Sequence, residues 1–184
     1  VLTPFRNGEA DILIGTQMIV KGHDFPNVTL VAALAADMSL YAGDYRSSER
    51  TFELLMQASG RAGRAEKAGE VVIQTYNPEE YSIQAVAGQD AEYFYENELA
   101  FRRLMKYPPY SQMAAILILS EEENEAKTLS EKLAENIHSV CGDAVTLIGP
   151  SKAGLSRAKD RYRYVLYVKS MDEEAMACVR EIAE

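Results

Sequence analysis

The sequence feature that most constrains the fold is a pair of adjacent prolines, Pro108 and Pro109. Neither proline can donate a backbone hydrogen bond, so the helix predicted over residues 91–105 must end before them. The hydrophobic pattern differs on the two sides of this pair. With 184 residues the chain is long enough for two small domains, and we place the boundary between residues 1–106 and residues 107–184.

Before the prolines, short apolar runs alternate with helical segments. The pattern predicts strands near residues 11–14, 28–34 and 71–73, with a helix over 47–59. Strands that are apolar on both faces and separated by helices are typical of a parallel sheet covered by helices, which is an α/β architecture. Such sheets bind ligands beyond the carboxyl ends of their strands, so the segments after Ile14 and after Met56 become the candidate sites.

After the prolines the pattern is that of a smaller α+β domain. We expect five elements in the order strand, helix, strand, strand and helix, over residues 113–119, 126–140, 145–148, 162–169 and 172–182. This order is a split β-α-β arrangement that lacks its last strand. The chain begins at Val1 and stops within the last helical pattern, so we interpret it as a piece of a longer protein.

Charge and cysteine content exclude several function classes. The chain has 19 Lys and Arg against 28 Asp and Glu, so a general polycationic coat is excluded and nucleic acid must be bound by a local patch. Cys141 and Cys178 form no C-x-x-C pair, and neither a zinc cage nor a disulfide framework is predicted. No apolar run approaches the ~20 residues that span a bilayer, and no basic-then-apolar leader opens the chain. We expect a cytoplasmic protein without membrane contact.

Two arginines stand at the end of the helix predicted over 47–59. Arg61 and Arg64 are three residues apart among small residues, so another surface can approach them closely. The planar guanidinium pairs well with phosphate oxygens, and two of them match a triphosphate presented by a neighbouring lobe. The alternative is an ordinary pair of surface arginines in a small-residue turn.

A second candidate segment begins where the strand at 11–14 ends. Gly15 and Thr16 provide a backbone turn and a hydroxyl for a phosphodiester, and Lys21 beside Gly22 adds a phosphate contact. Asp24 can accept a hydrogen bond from a sugar hydroxyl. The alternative is an ordinary connection between a strand and a helix that carries a few polar groups.

A third candidate is a basic segment within the smaller domain. Residues 152–169 contain six Lys and Arg against one Asp, a local charge of +5 in an acidic chain. Basic side chains follow a phosphate backbone, while tyrosine rings stack on unpaired bases. The alternative is an exposed basic hairpin whose tyrosines pack within the sheet. The candidate nucleic-acid contacts are Arg157, Lys159, Arg161, Tyr162, Arg163 and Tyr164.

Two of these segments carry a resemblance to a known family. The stretch GTQMIVKGHDFPNVTLV at residues 15–31, followed by QASGRAGRA at residues 57–65, resembles motifs V and VI of superfamily 2 helicases. The connecting residues 36–40 and 44–50 are similar to those of the replication-restart DNA helicases within that superfamily. The resemblance implies that residues 1–106 form part of a RecA-like lobe. It also implies an ATP-dependent 3′–5′ DNA helicase that restarts stalled replication forks.

The same resemblance assigns roles to particular residues. It implies that Arg61 and Arg64 reach the ATP γ-phosphate with Gln57 beside them, and that Asp24 and Gly22 lie near the nucleotide. It implies that the nucleic-acid track is followed by Gly15, Thr16, Gln17 and Lys21. The family's phosphate-binding G-x-x-x-x-G-K-[ST] loop does not occur in this sequence, so ATP and Mg²⁺ are expected to need another lobe, and zinc ligands are expected upstream. We therefore expect the 184-residue chain alone to hydrolyse no ATP.

The resemblance also implies partners. These are forked and single-stranded DNA, the single-stranded-DNA-binding protein, and the primosome proteins that load the replicative helicase. Two alternatives remain at this point. Another superfamily 2 translocase is disfavoured by the connecting pattern at 44–50, and a non-catalytic binding module is disfavoured by the intact Gln57, Arg61 and Arg64.

Overall fold

A computed structural model describes residues 2–16, 25, 27–41, 43–62 and 69–184 of the chain. The chain divides into two units, Val1–Leu99 and Ala100–Glu184. The boundary that we placed after residue 106 therefore lies a few residues beyond this division. Each unit has its own sheet and its own buried cluster, and the mixed α/β class is confirmed.

The first unit is built on a parallel pair of strands. Strand β1 (Leu30–Ala33) pairs with β2 (Glu70–Ile73), with Leu30 opposite Glu70, so the parallel sheet is confirmed. The strand expected at residues 11–14 is wrong, because these residues form neither helix nor strand. Ile14 is 90% exposed, and within the described ranges no strand pairs with this run, so its apolar side chains are not buried in a sheet.

Four helices are described in the first unit. They are α1 (Thr3–Arg6), α2 (Ser47–Ser59), α3 (Tyr81–Gly88) and α4 (Ala91–Met105), the last of which continues past Leu99. The predictions of α2 and α4 are confirmed, whereas the pattern did not predict α3. This short helix begins at a local cap, because the Glu80 carboxylate accepts hydrogen bonds from the backbone amides of Ser82 and Ile83.

Aromatic stacking joins these helices into a core. The ring of Phe52 on α2 lies parallel to that of Phe94 on α4, with centroids 4.1 Å apart. Ile83 and Val86 of α3 complete the buried cluster. Because Phe94 is 1% exposed, the start of α4 is held against α2 by close packing.

The second unit follows the predicted order of elements. It contains β3 (Gln112–Ser120), α5 (Glu123–Cys141), β4 (Thr146–Ala158), β5 (Arg161–Ser170) and α6 (Glu173–Ala183). The strands form an antiparallel sheet in the order β3-β5-β4, so β5 is central and β3 is an edge. Strand β4 is much longer than the predicted run at 145–148 and extends to Ala158.

One face of this antiparallel sheet packs on the two helices. Ile137 of α5, Leu166 and Val168 of β5, and Met176 of α6 share the buried cluster. The Asp172 side chain caps α6 by accepting hydrogen bonds from the backbone amides of Glu174 and Ala175. None of the helices described in either unit combines the length and the apolar character that a bilayer crossing requires.

Candidate functional site

The C-terminal end of α2 positions the first predicted site residue. The amide of Gly60 donates to the Met56 carbonyl oxygen at 3.0 Å, and the amide of Arg61 donates to the Ala58 carbonyl oxygen at 3.0 Å. Arg61 therefore lies in the tight turn that ends the helix, half-buried, with its Nε shielded from solvent. Gln57 is exposed one turn earlier, and Arg64 lies outside the described residues.

The N-terminal half of α2 is held by a buried hydroxyl. The Thr51 hydroxyl oxygen lies 2.8 Å from both the Ser47 carbonyl oxygen and the Ser39 hydroxyl oxygen. Ser39 belongs to a 3-10 turn, Ala36–Ser39, that follows β1 closely, and its hydroxyl donates to the Ala36 carbonyl oxygen. Because Thr51 is completely buried, this contact fixes α2 to the segment that follows the first strand.

A buried carboxylate joins the ends of the two parallel strands. Asp37 is 5% exposed; it accepts a hydrogen bond from the Thr75 hydroxyl at 2.5 Å and another from the Tyr76 amide at 2.8 Å. These two hydrogen bonds lower the pKa of Asp37, with that from Thr75 contributing most. The Gln74 side chain adds a further link by accepting from the Ala35 amide at 2.7 Å.

These contacts form one continuous support, which we call the Asp37 network (Asp37, Ser39, Thr51, Thr75). It connects the carboxyl ends of β1 and β2 to the helix that leads to Arg61. The sequence patterns above did not predict this network. Its one local signal is a carboxylate placed directly after an apolar run, with hydroxyl residues near the end of the next strand.

In the segment that resembles motif V, the structure describes residues 15–16, 25 and 27–31. Gly15 and Thr16 are exposed and belong to no helix or strand. The remaining predicted residues of this segment lie outside the described residues; they are Gln17, Lys21, Gly22 and Asp24. Their assignments therefore stay predictions.

The basic segment forms a long hairpin between β4 and β5. Its turn is Lys159–Asp160, and both residues have positive φ, 51° and 59°. Near the tip of the hairpin Arg157, Lys159 and Arg161 are exposed, as is Lys152 further along β4, whereas Arg163 is half-buried. The hairpin therefore projects several cations toward solvent near its tip.

The two predicted tyrosines have different environments. Tyr164 is 8% exposed, lies opposite Ile118 of β3, and shares its face of β5 with Leu166, which packs on the helices. Its ring is therefore not free to stack on a base, and the predicted DNA contact of Tyr164 is wrong. Tyr162 is half-buried, and the Arg157 guanidinium carbon lies 5.2 Å from its ring centroid.

Local contacts engage half of the six basic residues. Lys152 Nζ lies 2.5 Å from Glu123 Oε1, and this hydrogen bond is the main reason that the pKa of Lys152 is raised. Arg157 pairs with Asp160 at 3.5 Å, and Lys169 Nζ donates to the Met105 carbonyl oxygen at 2.7 Å. Lys159, Arg161 and Arg163 make neither an ion pair nor a side-chain hydrogen bond to a described residue. We call these three the hairpin cations.

Known families match both units. Residues 1–66 match the helicase conserved C-terminal domain, and residues 103–184 match the primosomal protein N C-terminal domain. The replication restart protein PriA of Bacillus subtilis is 49% identical over 185 residues, which is 100% of this chain and 23% of that relative. This chain matches the C-terminal region of PriA. The resemblance to replication-restart helicases is thus confirmed.

Further relatives carry the same name. The replication restart protein PriA of Synechocystis is 42% identical over 169 residues, covering 92% of this chain and 20% of the relative. That of Rickettsia typhi is 39% identical over 169 residues, covering 91% and 26%. The chain therefore spans about a quarter of the length of the PriA proteins that it matches. Arg61 falls in the helicase match, and the hairpin cations fall in the PriA C-terminal match.

Proposed function

We propose that this chain supplies the second motor lobe and the C-terminal domain of an ATP-dependent, 3′–5′ DNA helicase that restarts stalled replication forks. The observation that carries the proposal is the position of Arg61. It lies in the turn after α2, within the match to the helicase C-terminal domain, and the Asp37 network fixes α2 to the ends of two parallel strands. Arg61 itself lies beyond the C-terminal end of α2, and Thr51 anchors the N-terminal half of that helix.

Arg61 has the chemistry that phosphoryl transfer needs. Its guanidinium can stabilise the charge that builds on the transferring γ-phosphoryl group, and its planar donors match the phosphate oxygens. Rigid support matters, because a stabilising group is effective only when it is already in place as charge develops. We assign the same contact to Arg64 and a supporting contact to Gln57.

The described residues fit only part of a nucleotide site. They offer guanidinium and amide donors for phosphate, but no group of three His, Cys, Asp or Glu side chains among them is arranged to hold a metal ion. Mg²⁺, when bound, neutralises charge on the β- and γ-phosphates. We assign Mg²⁺ and the β-phosphate to another lobe of the full-length protein and structural zinc to its upstream part, with Asp24 and Gly22 near the nucleotide.

DNA is assigned to two surfaces. The segment with Gly15, Thr16, Gln17 and Lys21 follows the strand along which the motor moves. The hairpin cations (Lys159, Arg161 and Arg163), with Arg157 and the flanking Tyr162, contact the phosphates of a fork. We also assign to this C-terminal domain the contacts with the single-stranded-DNA-binding protein and with helicase-loading primosome proteins, in the cytoplasm.

The experiment that tests the motor assignment is carried out in the full-length protein. We expect R61A to reduce DNA-stimulated ATP hydrolysis by roughly 10³-fold or more, which is typical for loss of such an arginine. R61K keeps the charge but loses the planar fork, so it should restore little activity. The matched control is R6A, which removes an exposed arginine of α1. Full turnover by a folded R61A protein contradicts the assignment of Arg61 to phosphoryl transfer.

A further inference from the structure

Strand β4 of the basic hairpin contains a bulge between two paired positions. Lys152 lies opposite Tyr164, and Arg157 lies opposite Tyr162, so five steps along β4 (152 to 157) match two steps along β5 (164 to 162). Residues 153–156, all of which the structure describes, therefore have no register partner on β5. Extra residues of this kind bend a strand locally and change the direction in which its side chains point.

Leu155 is the large apolar residue of this bulge. Its exposed fraction is 61%, and no described atom lies within 4 Å of the position that a Cβ on the preceding Gly154 would occupy. Leu155 does not belong to the buried cluster of the second unit. An apolar side chain that stays in water adds little to the stability of a fold, so Leu155 is available for a contact outside the chain.

Contacts on both sides of Leu155 hold the bulge in place. On the N-terminal side, Lys152 Nζ lies 2.5 Å from Glu123 Oε1 of α5. On the C-terminal side, the Arg157 guanidinium carbon lies 5.2 Å from the Tyr162 ring centroid. The ends of the bulge are therefore tied to a helix and to the central strand, and Leu155 is presented to solvent between them.

We propose that Leu155 inserts under the last base pair of the duplex at a DNA fork and separates that pair from its neighbour. The inference rests on the proposed function, because it takes the hairpin cations as phosphate contacts, and it adds a residue that contacts bases. Leucine is among the apolar side chains that proteins insert between base steps to unstack them.

The chemistry of a fork fits this arrangement. The last base pair is stacked on one side only, so it is the pair that is most easily separated from the duplex, and its faces offer stacking surface to an apolar side chain. Phosphates lie on both strands beside it, within reach of cations such as Lys159 and Arg161, which are exposed four and six positions after Leu155. These charges favour DNA over an apolar groove of a protein, because charged residues are depleted at the centre of protein interfaces.

The fluorescence of 2-aminopurine tests this contact without ATP. A fork that carries the analogue in its last base pair is saturated with the full-length protein, because the analogue becomes brighter when it is unstacked. We expect the wild-type protein to raise the fluorescence at least about twofold and L155A to raise it much less, since alanine is too short to fill the base step. L155M keeps an apolar side chain of similar volume and should restore the rise.

The matched control is L129A, which removes a leucine of α5 that is 46% exposed. It should give the same rise as wild type, and an analogue placed in the interior of the duplex should not respond. Unchanged fluorescence in a fork that is bound by the wild-type protein overturns this inference alone, and so does an equal rise with L155A, as expected if Leu155 contacts a protein instead. Failure of the wild-type protein to bind the fork, measured by fluorescence anisotropy, overturns the proposed function together with this inference.

Discussion

The Asp37 carboxylate accepts a 2.5 Å hydrogen bond from the Thr75 hydroxyl, which joins the segments that follow strands β1 and β2. The ionised Asp37 carboxylate accepts one hydrogen bond on each oxygen, from the Thr75 hydroxyl and from the Tyr76 amide. A protonated carboxyl group would carry a hydrogen on one of these two oxygens and would accept less well there. The stability of this part of the first unit should therefore depend on the charge of one buried carboxylate.

This dependence predicts an acid transition. The folded state lowers the pKa of Asp37 below its ordinary value of 3.8. Its contribution to the free energy of unfolding is thus complete above pH 3.8 and is lost as the pH falls through the lower folded value. D37N should lower the urea midpoint at pH 7 and make that midpoint less sensitive to acid. The control is D11N at an exposed position, and an equal acid dependence in D37N and wild type contradicts the prediction.

The isolated chain should hydrolyse no ATP. It contains no G-x-x-x-x-G-K-[ST] loop, and an arginine alone can neither hold the β-phosphate nor position the attacking water. Phosphate release measured with and without single-stranded DNA should equal that of the buffer. Turnover that co-purifies with the chain and disappears in R61A would show that this view of the site is incomplete.

The hairpin cations should set part of the salt dependence of DNA binding. In the full-length protein, R161E/R163E should weaken binding to forked DNA and reduce the slope of log affinity against log salt by roughly 0.7–0.9 for each phosphate that the variant no longer neutralises. K127E/K132E makes the same charge change at exposed positions of α5 and serves as the control. Equal slopes for the two variants would mean that the hairpin does not bind phosphate.

The stacked aromatic pair should dominate the stability of the first unit. F94A removes a ring that is 1% exposed and stacked on Phe52, so we expect it to lower the free energy of unfolding by about 3–5 kcal/mol. Y76A removes an aromatic ring that is 89% exposed and should change that free energy by less than about 0.5 kcal/mol. Chemical unfolding followed by circular dichroism measures both. A small effect of F94A would imply that the cluster collapses to fill the cavity.

Hydrophobic periodicity predicted the helices that are long and amphipathic. It predicted α4 with its observed bounds, because a stripe of large apolar residues precedes the two prolines that end the pattern. It missed α3, which has only eight residues and depends on capping by Glu80. It also missed most of β4, since Gly149, Pro150 and Gly154 indicate a loop, and only pairing with β5 across two irregularities makes this stretch a strand.

The candidate sites also contain residues that the local sequence predicts and residues that it does not predict. Arg61 was predicted because its local pattern resembles a helicase motif, and the helicase match includes it. The Asp37–Thr75 contact joins residues 38 positions apart and has no local signal that pairs them. Alternation along β5 divides its residues into two faces, but only packing on α5 and α6 shows that Tyr164 belongs to the buried one. The sequence identifies the type of each side chain, whereas the burial and the contacts of that side chain depend on elements that are distant in the sequence.

The hydrogen bond between the Thr51 and Ser39 hydroxyls anchors the N-terminal half of α2, so the position of the C-terminal end depends on the tilt of the helix. Arg61 follows Thr51 by ten residues, or about 15 Å of helix axis, so a tilt of about 5° at the anchor displaces the guanidinium by more than about 1 Å. A displacement of that size makes or breaks a hydrogen bond to a phosphate oxygen. If Arg61 acts on phosphate as proposed, the Thr51 contact at the start of α2 therefore helps to set the position of the guanidinium.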